Sequence, residues 1–128
     1  MRPKTFLRKA CKCHGGQLFA EHLSDVNSLQ ELKERLQDCL EDDLDYYRDE
    51  VEDFPEEREK LDRLEAIEKQ LKTGNIVEAA IDYAVFLGNS SPEFNGLVYG
   101  FLLNYDEKLL KEYVTRFMKE NEEIDWDT

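Results

Sequence analysis

Cys11-Lys12-Cys13-His14 is the one cluster in this chain whose residue types bind metals. Thiolates and imidazoles suit zinc, and a structural zinc site needs four ligands. His22 and Cys39 are the only other residues of those types, because the chain has three cysteines and two histidines. Paired zinc ligands usually stand two or more residues apart, and no second pair exists here. Cys11, Cys13 and His14 are therefore weak metal candidates, and no cofactor is expected. Nucleophilic catalysis fares no better. A reactive cysteine needs a positioned base and a third orienting group, and adjacency of Cys13 to His14 does not supply that geometry. Lys9 and Lys12 would lower a neighbouring thiol pKa, which points to redox sensitivity as readily as to an enzyme.

Carboxylates are the other abundant chemistry, with 30 Asp and Glu against 17 Lys and Arg. Pairs of them carry no weight by themselves, since acid–base work needs carboxylates in divergent environments. Asp42-Asp43-x-Asp45 lacks the glycine that turns a calcium loop. No phosphate-cradling glycine loop and no Gly-x-Ser-x-Gly elbow is present. The expectation is a protein that performs no catalysis.

What stands out is a run. Residues 41–57 hold ten acids (Glu41, Asp42, Asp43, Asp45, Asp49, Glu50, Glu52, Asp53, Glu56, Glu57) and one base, Arg48. Blocks of like charge are commonly disordered, but Leu44, Tyr47, Val51 and Phe54 continue a helical apolar stripe through this one. A helix with that stripe buried presents carboxylates along a rigid rod, and such a rod imitates the charge of a nucleic acid backbone. The expected partner-binding residues are these ten, and the expected partner is a basic protein surface. Like charges three and four apart cost a helix a few tenths of a kcal/mol per pair. The competing reading is a solvated face that serves solubility.

The elements that must hold this run are legible. Ser28-x-x-Glu31 is a capping box. Leu29, Leu32, Leu36, Cys39 or Leu40, Leu44, Tyr47, Val51 and Phe54 then recur at helical spacing. The helix should stop before Pro55, because the residue ahead of proline avoids helical geometry. Pro55 can open a second helix with Leu61, Leu64, Ile67 or Glu68, and Leu71 as its stripe, capped by Gly74 in the left-handed region. Ile76 to Leu87 is the most apolar helix candidate, ended by Gly88-Asn89 and expected at the centre of the domain. Ser91-Pro92-Glu93 marks another start. Phe94 to Tyr105 reads as a buried helix or as a strand, with Gly96 and Gly100 weakening both or letting two helices approach closely. Asp106 caps a final amphipathic helix carrying Leu109, Leu110, Tyr113, Val114, Phe117 and Met118. Residues 4–23, with His14-Gly15-Gly16 between two short runs, read as a hairpin or irregular arm, with two short helices as the alternative. The expected fold is mainly α: a small bundle of about five helices in one domain over 1–128, with a basic arm or N-terminal β-hairpin over 1–23, a helical body over 24–119 and an acidic tail over 120–128.

Gly74 to Pro92, reading GNIVEAAIDYAVFLGNSSP, resembles the second helix of a tetratricopeptide repeat. The resemblance covers about 19 residues and implies that a glycine, an alanine and a tyrosine pack between paired helices. No second copy occurs at the 34-residue period of that family.

Length and composition bound the function. The 128 residues suffice for one core without disulfides or metals, and seven Phe, six Tyr and one Trp argue against disorder. The net charge of −13 opposes contact with nucleic acid and anionic membranes. Arg2, Lys4, Arg8, Lys9 and Lys12 form a basic segment without acids, which pairs with the acidic body or with something outside. The odd cysteine number and the lack of a secretory or transmembrane pattern place the chain in a reducing cytoplasm.

Four functions are compatible with these features. The first is an acidic inhibitor that occludes the basic groove of a nucleic-acid-binding partner. Being short, acidic and free of motifs, the chain resembles phage-encoded inhibitors of CRISPR or restriction enzymes. An immunity protein or antitoxin covering a toxin's active site would read the same way. A helical adaptor would bind through an apolar groove around Gly96, Gly100 and Phe101. A small zinc or redox protein would depend on Cys11 and Cys13.

Overall fold

The computed structural model describes residues 28–88 and 91–120. Among the described residues the chain is mainly helical, with five α-helices and no strand. The arm or hairpin expected over 1–23 and residues 121–128 of the expected tail lie outside them. Two compact units divide the described helices, residues 29–83 and residues 84–120, with the boundary between Tyr83 and Ala84.

In the first unit, α1 spans Leu29–Asp53 and begins directly after Ser28. Leu32, Leu36, Leu40 and Leu44 are each at most 2% exposed. Every fourth residue advances the helix by about one turn, so these four leucines form a single buried row. Burial of each contributes roughly 1.5–3 kcal/mol. Of the alternatives Cys39 and Leu40, it is Leu40 that faces the core, while Cys39 is exposed. The stripe is also shorter than its periodicity suggests. Leu29 is 39% exposed and Phe54 is 50% exposed. Lys33 already lines a cleft with Leu71 and Lys72 at the far end of the facing helix, so Leu29 overhangs it. Phe54 follows the last helical residue, and its φ of −130° and ψ of 83° turn its side chain off the helical row.

Proline acts at this break as anticipated. Pro55–Glu57 form one 3-10 turn, and α2 then spans Arg58–Lys72. The two helices form an antiparallel hairpin: near the turn the Lys60 Nζ stands 6.0 Å from the centre of the Tyr47 ring, and at the open end Lys33 lines one cleft with Leu71 and Lys72. Leu61, Leu64, Ile67 and Leu71 are buried. Ile67, not the half-buried Glu68, completes that stripe. The end of α2 is a Schellman cap. The Gly74 N–H donates to the Leu71 carbonyl and the Asn75 N–H to the Gln70 carbonyl, at 3.2 and 3.0 Å. Gly74 sits at φ +90°, a conformation that side chains disfavour.

Helix α3 spans Ile76–Leu87 and is the most apolar of the five, as its composition predicts. Ala79, Ala80, Ile81, Tyr83, Ala84 and Val85 are all buried. In the second unit, Gly88 takes φ +57° just after α3. Ser91 then precedes α4, Pro92–Tyr105, and Pro92 occupies the first turn. The stretch left open between helix and strand is a helix, and every residue from Phe94 to Leu102 is buried, both glycines included. Asp106 caps α5, Glu107–Glu120: its Oδ1 accepts from the Lys108 and Leu109 N–H groups at 2.9 and 3.3 Å. Leu110, Tyr113 and Phe117 form the buried row of α5, with Leu109, Val114 and Met118 half-buried beside it.

One polar knot ties this second unit together. The Asn95 side chain is fully buried. Its Nδ2 donates to the Gly88 and Ser91 carbonyls at 2.9 and 3.0 Å, and its Oδ1 accepts the Tyr113 hydroxyl at 2.7 Å. The end of α3, the start of α4 and the middle of α5 are joined with every Asn95 side-chain group satisfied.

Candidate functional site: the acidic face of α1

Helix α1 carries eleven acids and three bases, Lys33, Arg35 and Arg48. Helical rotation sorts these acids into two sets. Glu41, Asp45, Asp49 and Glu52 lie opposite the leucine row, flanked by Asp42 and Asp53, and all six are exposed. The same row continues upstream of the run through Glu31, Glu34 and Asp38, also exposed. Steps of three and four residues therefore carry one column from Glu31 to Glu52. The upstream three were missed because counting local charge density finds a block, whereas the column follows from helical period applied to the whole element.

The spacing has a physical counterpart. At ~1.5 Å rise per residue, the nine exposed carboxylates from Glu31 to Asp53 span roughly 33 Å, about one charge per 4 Å. A nucleic acid strand carries one phosphate per ~3.4 Å of duplex axis. Exposed Arg35 shares the column of Asp53 and offsets one of these charges, so the outer face of α1 approaches the linear charge density of a single strand without reaching it.

The remaining acids of the run are placed differently. Asp43 is half-buried, and its Oδ2 accepts the Tyr83 hydroxyl from α3 in a short hydrogen bond. Burial first, and then this bond and the carboxylate charge, push the Tyr83 hydroxyl far above its ordinary pKa. Glu50 is half-buried and bonded to Tyr46, and that bond raises the Tyr46 pKa. Glu57 is half-buried and paired with Lys60 at 3.1 Å, which raises the lysine pKa. Glu56 is exposed on the 3-10 turn, beyond the end of α1. The ten sequence-selected acids therefore do not form one surface. Six share the outer face of α1, three turn towards neighbouring side chains, and one stands apart on the turn.

The thiol and adaptor candidates fall elsewhere. Cys11, Cys13, His14 and His22 lie outside the described residues. Among the described residues no group of three His, Cys, Asp or Glu is arranged to hold a metal ion. The Cys39 thiol is pushed up by the protein around it, then by the carboxylates of Asp43, Asp38 and Asp42, with Arg35 opposing. Gly96, Gly100 and Phe101 are buried within α4, so they do not line an open groove. A cleft does open in the second unit, between Tyr99 of α4 and Leu110, Val114 and Met118 of α5. Among the described residues no helix is long and apolar enough to cross a membrane.

No protein-family model, no curated protein and no solved structure matches the chain. The segment resembling a tetratricopeptide repeat is helical over Ile76–Leu87, and its family assignment gains no support from these comparisons.

Proposed function

We propose that this chain is a non-enzymatic acidic binding protein that inhibits a nucleic-acid-binding partner by occluding its basic groove. The observation that carries this reading is the carboxylate column of α1, exposed from Glu31 to Glu52 and held on a helix whose opposite row of leucines is buried. Two requirements of a nucleic acid mimic are met together there. The charges approach the linear density of a strand, and the helix that bears them is fixed by packing. The inhibitor needs no chemistry of its own, because a partner whose groove is filled cannot admit DNA or RNA. In kind, this is how phage-type inhibitors of CRISPR and restriction enzymes act. An immunity protein covering a basic toxin would use the same face.

The reading demands electrostatic binding. Screening acts over about 8 Å at physiological ionic strength, so affinity for a basic nuclease should fall steeply as salt is raised. Binding that survives molar salt unchanged would rule the mechanism out. Charge reversal at Glu41, Asp45 and Asp49 should abolish binding, whereas serine at Cys11 and Cys13 should leave it intact.

A further inference from the structure

The cleft along α5 has a floor of Tyr99, Leu110, Val114 and Met118, with Glu107 and Lys111 at its rim and a volume of about 440 Å³. That is within the range of sites that hold an organic group of some size, and an apolar floor with few polar rim groups is their usual make-up. Lys111 lines the cleft and pairs with Glu107 at 3.7 Å, while Lys108 and Lys119 are exposed on the adjoining columns of α5, beside Glu112. Such a cleft suits an apolar side chain, with Lys108 and Lys119 beyond its edge to face acids that flank it. The sequence that follows α5 offers both. Residues 121–128 read NEEIDWDT, in which Ile124 and Trp126 alternate with Glu123, Asp125 and Asp127. Were the segment extended, alternate residues would point to opposite sides, and the two apolar side chains would share one side.

Reach agrees with this pairing. Met118 stands two residues before the end of α5. From Met118 back to Glu107 the helix rises roughly 16 Å. The six residues from Glu120 to Trp126 span up to about 20 Å when extended, enough to bring the indole to any point of the cleft. We propose that the α4–α5 cleft is the docking site of this chain's own residues 121–128, with Trp126 seated against Leu110, Val114 and Met118 and the adjacent acids set towards the lysines of α5. The proposal is independent of the function assigned to α1.

Trp126 is the sole tryptophan, so its fluorescence reports on this site without labelling. In the full chain, excited beyond the absorption of the tyrosines, the indole should emit to the blue of free N-acetyltryptophanamide. It should also be quenched by acrylamide several-fold less efficiently. Val114→Asp and Met118→Asp, checked by circular dichroism for unchanged helicity, should each shift the emission to the red and raise the quenching. Emission from the unaltered chain that matches the free indole would overturn the proposal, whatever the variants do. So would a blue-shifted emission that neither variant moves, since the indole would then be buried elsewhere. A blue shift lost on dilution would place the segment in the cleft of a second copy, and would overturn the intramolecular contact.

Discussion

At the scale of single residues, the distinction that matters is between carboxylates aimed outward and those engaged inside. Asp43 belongs to the densest part of the charge run, yet it receives the Tyr83 hydroxyl and so holds α1 to α3. Helical period sets Asp43 beside the leucine row and Asp42 away from it, but that Asp43 meets a hydroxyl is decided only when Tyr83 packs 40 positions away. The same limit applies to Asn95, which reads as an ordinary polar residue near a helix start but is the hub of the second unit. Tyr113→Phe leaves the Asn95 Oδ1 buried without its donor, and should cost about 1–3 kcal/mol in urea unfolding. Cys39 offers a test of local field. Its raised pKa lowers the thiolate fraction at neutral pH. In a Cys11→Ser, Cys13→Ser background, iodoacetamide should therefore alkylate it more slowly than an unstructured cysteine peptide, and the rate should climb with pH and with salt. Alkylation at the free-peptide rate, insensitive to salt, would contradict the placement of Asp38, Asp42 and Asp43 around it.

At the scale of elements, sequence logic succeeds wherever a backbone rule decides the outcome. Pro55 ends α1 at Asp53, Gly74 takes the left-handed cap, and Asp106 caps α5. It falters where packing decides. Phe94 to Tyr105 is apolar almost throughout and carries two glycines, so neither helical nor strand period is visible in it, and only burial on all sides explains why. Leu29 and Phe54 fit the α1 stripe by number but lie past the leucines that the hairpin covers. The candidate site is therefore legible as a charge block on a helix, while its shape as a column from Glu31 depends on knowing which row is buried. That shape has an energetic signature. Glu34 and Asp38, Glu41 and Asp45, and Asp45 and Asp49 stand four apart, and each such pair costs roughly 0.2–0.5 kcal/mol. Replacing Asp38, Asp45 and Asp49 with Asn should raise the thermal midpoint at low salt while weakening partner binding. A variant that loses stability instead would show that these acids serve the fold.

At the scale of the whole molecule, three of the six tyrosines, Tyr83, Tyr99 and Tyr113, are at most 1% exposed. Desolvation pushes Tyr99 up to about 12, and burial raises Tyr83 and Tyr113 as well. An unfolded tyrosine loses its proton near ~10. Above that pH the folded chain binds more protons than the unfolded one, so stability is intact below it and falls as pH rises. Absorbance titration should show these three phenols ionising together with the loss of helical circular dichroism, not ahead of it. The most direct measurement of what the acidic face binds immobilises the full chain and its Asp38→Asn, Asp45→Asn, Asp49→Asn variant side by side. Host lysate is passed over both, and the bound proteins are eluted first with single-stranded nucleic acid and then with rising salt. A nucleic-acid-binding protein should be retained by the unaltered chain, displaced by the nucleic acid and scarcely held by the variant. A partner held equally by both surfaces, or one that nucleic acid and molar salt fail to displace, would contradict nucleic acid mimicry.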